Sequence, residues 1–290
     1  MKSRYRNGIW GAIVCLSVFL VGGCAKPVAN TSSQEPALSS SSISKDANQP
    51  EKVVEKGDWV ETFKADLPKW PRRFVEDANS TFMRADNLTA LLLAGGASIA
   101  MHNSDADDNI NENFQRHRTF RNFPDESLYI IGSPVTHFAA TGLWYALSAD
   151  NQDQFNKDRA LTMITALAIN DLTTVGLKAI RNNRTPNGKP WAWPSGHTSS
   201  SFTVASVLDE FYGPKVGIPA YLGASAVAWR MMDTGDHWAS DVVFGATLGW
   251  IVGHTVAGKH KQLEVAGFKV LPYTGNGIDS GMGVLLVKRF

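Results

Sequence analysis

The chain has 290 residues, 43% hydrophobic and 19% charged, enough for one good-sized globular domain plus extensions. Its 28 basic and 27 acidic residues leave a formal net charge of +1, which excludes a global field that would recruit nucleic acid or anionic lipid. Any anion must therefore be held by a local cluster.

The first element in chain order is a targeting segment. Lys2, Arg4 and Arg6 precede a largely apolar run from Ile9 to Leu20, followed by Val21-Gly22-Gly23-Cys24. That order predicts a secretion signal over residues 1–23. The run is short of the roughly 20 apolar residues that span a bilayer. Small residues directly before a cysteine resemble the bacterial lipobox, which implies that Cys24 is lipidated and becomes the first mature residue. Cys15 lies within the signal, so the mature chain is expected to hold no free thiol, no disulfide and no cysteine-bound metal. Ala25 after the cysteine resembles the pattern sent to the outer membrane of Gram-negative bacteria, so the expected location is lipid-anchored and facing the periplasm. Residues 24–57 are rich in Ser, Asn, Gln, Pro and Lys, with four serines at 39–42, and are predicted to form a disordered tether.

A helical domain is predicted over residues 58–265. Apolar residues recur at helical spacing over about 86–101, 126–148, 157–181, 198–211, 216–231 and 237–257, which predicts a mainly α bundle of about six core helices. Turn signals separate them: Phe123-Pro124-Asp125, Pro186-Asn187-Gly188, Pro194-Ser195-Gly196 and Gly213-Pro214. Several helices are apolar all round, as a central bundle helix is. A membrane-embedded bundle is the competing reading, but Asp171, Lys178, Arg230, Asp241 and His254 interrupt the candidate spans, and a soluble bundle is preferred. Over 266–290 the pattern changes to Phe268-Lys269-Val270-Leu271, a turn containing Gly275-Asn276-Gly277, and Val284-Leu285-Leu286-Val287, which predicts a small β-hairpin.

Three short segments concentrate the polar residues that an apolar bundle otherwise avoids. The third, Trp229 to Asp241, is the most constraining, because His237 and Asp241 are four apart and share one face of a predicted helix. A carboxylate there accepts the proton on one imidazole nitrogen, fixes the tautomer and leaves the other nitrogen free to attack. A satisfied structural His–Asp pair is the plain alternative. The second, Pro194-Ser195-Gly196-His197, sits at a turn into a helix, where free N–H groups and the positive dipole end attract anions. Gly196 permits close approach to the backbone, the Ser195 hydroxyl can donate, and His197 suits a proton donor to a leaving oxygen. An ordinary N-cap at Ser195 explains the same residues. The first segment offers Lys178 and Arg184, with Asp171 seven residues before Lys178 and expected to pair with it. Alone, this is a basic helix end.

In this order and spacing, over roughly 151–258, the segments resemble the type 2 phosphatidic acid phosphatase superfamily, which includes bacterial class A acid phosphatases and vanadium haloperoxidases. The Pro-Ser-Gly-His and His-x-x-x-Asp elements are the most specific parts. The resemblance implies that His237 is a nucleophile forming a phosphohistidine, that Asp241 orients it and that His197 is the general acid. It implies that Lys178, Arg184, Arg230, Ser195 and the Gly196 backbone cradle the phosphate, with no metal or other cofactor. Two departures stand out. Thr185 occupies the position before Pro186 where the family usually has arginine, and six residues rather than five separate Arg230 from His237. Arg181 is a substitute for Arg184.

The remaining candidates have bland readings. Asp105-Ala106-Asp107-Asp108-Asn109 after His102 lacks the glycine and closing glutamate of a calcium loop and reads as a solvated loop. His117 among Arg116, Arg118 and Arg121 reads as charged surface. His137 and His254 read as hydrogen-bonded core residues. Trp191, Trp193, Trp229 and Trp238 either line an apolar substrate pocket or pack the core. The expected function is a lipid-anchored, metal-independent phosphatase acting on phosphate monoesters or diphosphates, with a phosphorylated lipid as the favoured substrate. No nucleic-acid partner is expected, and the oligomeric state is open. The alternatives are a vanadate-dependent haloperoxidase on the same fold and a non-catalytic envelope lipoprotein with an anion pocket.

Overall fold

The computed structural model describes residues 57–261 and, beyond them, the backbone of the strands 263–265, 268–274 and 282–288. The expected signal, lipidated cysteine and most of the tether fall on residues 1–56, outside the described residues. The described chain is mainly helical.

Asp58 caps α1 (Trp59–Asp66), its carboxylate accepting from the amides of Val60 and Glu61. A 3-10 turn, Leu67–Lys69, leads into α2 (Trp70–Phe82), followed by α3 (Ala85–Asn103) and α4 (Ala106–Arg116). α2 carries a narrow apolar stripe, Phe74, Ala78 and Phe82, that packs on the core of the bundle, and it also buries Asp77 and Thr81; α4 sets Phe114 against Trp229 and buries Asp107. The solvated loop expected over 105–109 is corrected accordingly: it opens α4, and Asp107 is buried.

The helix predicted over 126–148 is two, α5 (Phe123–Ile131) and α6 (Pro134–Asp150). Pro134 forces Ser133 into extended geometry, with ψ 132°, and this breaks the run. α7 (Gln154–Arg181), α8 (Gly196–Tyr212), α9 (Pro214–Asp233) and α10 (Ala239–His260) match the other predicted helices to within about three residues. Strands β1 (Leu263–Val265), β2 (Phe268–Thr274) and β3 (Met282–Lys288) pair antiparallel in that order, Leu271 standing opposite Leu285. The Gly275-Asn276-Gly277 turn lies outside the described residues.

The main core joins Met163, Ala166, Leu167 and Ile169 of α7 to Val207 of α8 and to Phe244, Leu248, Val252 and Val256 of α10. α8 and α10 cross very closely. A Cβ on Gly245 would lie 2.8 Å from the Ser195 carbonyl oxygen, and one on Gly249 would collide with the Ser199 carbonyl. This contact brings the starts of α8 and α10 together, with the Ser195 amide donating to the Asp241 carbonyl at 3.1 Å. The end of α7 joins them: Asn182, left-handed at φ 43°, closes the helix with its amide on the Lys178 carbonyl. Among the described residues α7 is long and apolar enough to cross a membrane by length and composition, and 56% of its apolar window is buried within the bundle.

Candidate active site

His237 and Asp241 meet, but not along a helix. α10 begins only at Ala239, so His237 lies in the turn before it, its amide donating to the Met231 carbonyl at 3.0 Å. Gly235, at φ +68°, makes that turn possible. Asp241, in the first turn of α10, places Oδ2 2.9 Å from the Trp238 amide and 3.3 Å from Nδ1 of His237. Its Oδ1 is buried without a protein partner. One carboxylate thus caps a helix and fixes the imidazole. Burial pushes the His237 pKa below its ordinary value against the raising effect of Asp241, so a neutral ring is favoured, with Nδ1 held by the carboxylate.

At the start of α8, Ser195 is fully buried and acts as the N-cap, its Oγ 2.9 Å from the Thr198 hydroxyl and accepting from the Thr198 amide at 3.4 Å. Gly196 leaves room beside Thr174 and the Lys178 side chain. Nε2 of His197 is buried without a hydrogen-bond partner, and the ring stacks on Tyr129 at 4.8 Å between centroids and 29° between planes. Burial, followed by the nearby His237 and Arg230, lowers the His197 pKa to about 4. His137, also lowered to about 4 by burial, bonds Ser200 through Nδ1 at 2.8 Å, as its reading as a hydrogen-bonded core residue requires.

The cations are placed unequally. Lys178 donates to the carbonyls of Trp191 (2.5 Å) and Ala192 (3.2 Å), and burial, opposed by Asp241, brings its pKa to about 8. The expected pair with Asp171 does not form. Oδ1 of Asp171 accepts from Asn170 at 2.7 Å and Oδ2 is buried without a partner, so burial pushes this carboxyl up to about 7. Arg230 is clamped by Asp125 on Nε (2.6 Å) and Asp236 on Nη1 (2.5 Å). Burial alone would raise the Asp236 carboxyl, but bonds from Lys189 and Asn187 and the charge of Arg230 hold it far below the carboxylate range. Arg184 is exposed and donates to the Gly188 carbonyl at 2.9 Å, with no described contact to either histidine. Arg181 lies 5.3 Å over the Trp193 ring.

Several supporting residues escape sequence reading. Asp107 anchors the start of α10 by accepting from the Ser240 amide (2.9 Å) and hydroxyl (2.6 Å), and meets His102 Nδ1 at 3.3 Å. Asp125 carried a turn signal only, and Tyr129 sat in an apolar run. Asp236 beside His237 was the one visible hint. His254, expected in the core, is half-exposed; it pairs with Glu210 at 2.5 Å and stacks on Trp250. Trp193 packs against the main core and bonds Ser98, whereas Trp191 and Trp229 are half-exposed.

Residues 159–263, which include Lys178, Ser195, His197, Arg230, His237 and Asp241, match the model of the PAP2 superfamily. Among curated proteins, lipid A 1-phosphatase of Porphyromonas gingivalis is 37% identical over 65 residues, covering 21% of this chain and 15% of that protein. Two solved structures are similar. One is the transmembrane PAP2-type phosphatidylglycerolphosphate phosphatase of Bacillus subtilis, with 19% identity, TM-score 0.48, 60% of this chain and 94% of that chain. The other is Aquifex aeolicus LpxE, with 21% identity, TM-score 0.42, 50% of this chain and 92% of that chain.

Proposed function

We propose that this protein is a phosphatase that hydrolyses phosphate monoesters or diphosphates, lipid-linked by preference, through a phosphohistidine on His237. The observation that carries the reading is the arrangement of two buried, neutral-leaning imidazoles: His237 held through Nδ1 by Asp241, and His197 with a free, buried Nε2. In the first step Nε2 of His237 attacks phosphorus, the P–O bond to the leaving group breaks, and the leaving oxygen takes the proton from Nε2 of His197. A dianionic phosphate beside His197 raises its pKa from about 4 and loads that proton. In the second step water attacks phosphorus, His197 takes the proton, and the P–N bond breaks to release phosphate. Lys178, Arg230 and the N-terminal amides of α8 stabilise charge on the phosphoryl oxygens. Arg184, whose carbonyl accepts from the Trp238 indole next to His237, is a further candidate for the same role.

The chemistry proposed needs no metal. A lipid substrate is supported by half-exposed Trp191 and Trp229 and exposed Phe123 beside Lys178, Arg230 and Asp125, and by the expected anchor at Cys24, which would hold the domain at a membrane surface facing the periplasm, with the outer membrane favoured. As architecture we propose that six of the helices form the core and that the C-terminal strands β1 to β3 take no part in the site. The test is turnover of 4-nitrophenyl phosphate and a panel of lipid phosphates by EDTA-treated protein, wild type and His237→Ala. Wild type turns over and the variant does not; full activity in the variant would sink the mechanism.

A further inference from the structure

His237 owes its orientation to Asp241, but no described hydrogen bond does the same for His197. An imidazole turns about a broad, two-fold torsion, and a proton donor must hold its nitrogen within about 3 Å of the leaving oxygen. What does touch the His197 ring is Tyr129 of α5, stacked at 4.8 Å and 29°. The guanidinium of Arg230 lies 4.9 Å from the centre of that same phenol ring. Asp125, one helical turn earlier on α5, bonds Nε of Arg230 at 2.6 Å and also receives Arg118 at 3.3 Å. α5 thus offers a flat ring and a carboxylate on one face, and both reach the site from outside the 159–263 segment.

We propose that Tyr129 is a positioning residue: its ring, tied through Arg230 to Asp125, sets the plane in which His197 presents Nε2 to the leaving-group oxygen. This rests on the reading of His197 as proton donor. The ring alone does this work, since the contact is face to face and involves no phenol hydroxyl.

Leaving-group dependence tests it. A nitrophenolate leaves without a proton, whereas an alkoxide does not, so a misaligned donor penalises only the alkyl ester. We compare kcat/KM for 4-nitrophenyl phosphate and an alkyl phosphate in wild type, Tyr129→Ala, Tyr129→Leu, Tyr129→Phe and His197→Ala. Tyr129→Ala is expected to lose about 10-fold on the alkyl ester and at most about 3-fold on the aryl ester. Tyr129→Phe restores the alkyl activity. Tyr129→Leu, which keeps bulk but no flat ring, behaves like Tyr129→Ala and serves if the alanine variant does not fold. Equal losses on both esters, or full alkyl activity in the leucine variant, would overturn the proposal. If His197→Ala itself shows no leaving-group dependence, the proton-donor reading fails and the positioning role with it. If His197→Ala shows it and the tyrosine variants do not, only the positioning role fails.

Discussion

Nδ1 of His237 and Oδ2 of Asp241 stand 3.3 Å apart across the start of a helix, and the same oxygen accepts the Trp238 amide at 2.9 Å. The carboxylate that tunes the imidazole is therefore part of the structure that starts α10.

Replacing Asp241 by asparagine keeps the shape and removes the charge. Because one oxygen serves both Trp238 and His237, an amide oxygen in its place keeps the cap but gives less support to the positive charge that develops on the attacking imidazole, and the flipped amide turns an N–H toward Nδ1 only by giving up the cap. We expect Asp241→Asn to keep its circular dichroism and to lose about 10²- to 10⁴-fold in kcat/KM. Wild-type activity in the folded variant would show that Asp241 is a cap only.

The pH profile follows from two buried groups. His237 must be neutral to attack, so kcat/KM falls with falling pH through its lowered pKa, below the ordinary value of 6.5. Lys178 must be charged to hold phosphate, and its pKa of about 8 gives a fall on the alkaline side. Initial rates on 4-nitrophenyl phosphate, whose leaving group needs no proton from His197, should give a bell across pH 4–10, and Lys178→Arg should push the alkaline limb up. An unmoved alkaline limb in that variant would remove Lys178 from phosphate binding.

Asp171 makes a stability prediction of a definite sign. Its folded pKa of about 7 lies above the unfolded value near 3.8, so the folded state holds the proton more tightly through that window. The contribution favours folding most at low pH and is lost as pH rises through 7. Asp171→Asn removes a buried charge at pH 8 and should raise Tm there more than at pH 5. A larger gain at pH 5 would contradict the assignment.

What the sequence made legible was the part written in apolar periodicity and turn chemistry. α7 to α10 are apolar, Asn182 and Gly213 close α7 and α8 and Ser195 opens α8, and the three polar segments were visible as exceptions. α2 and α4 were harder to read because their apolar stripes are narrow and set among polar residues, of which Asp77 and Asp107 look like surface until their partners are known. The split at Pro134 was readable from that residue but was overridden by the apolar run around it. The supports at Asp125 and Tyr129 lie more than 60 residues from the histidine and arginine they touch, and no local pattern reports such contacts.

The central claim, covalent catalysis at His237, is tested most directly by quenching the protein with phosphorus-labelled substrate and asking where the label sits. The account predicts an acid-labile, base-stable phosphoryl group on the peptide containing His237, present in wild type and absent in His237→Ala. Label on any other residue, or steady turnover with no covalent label during the pre-steady state, would contradict it.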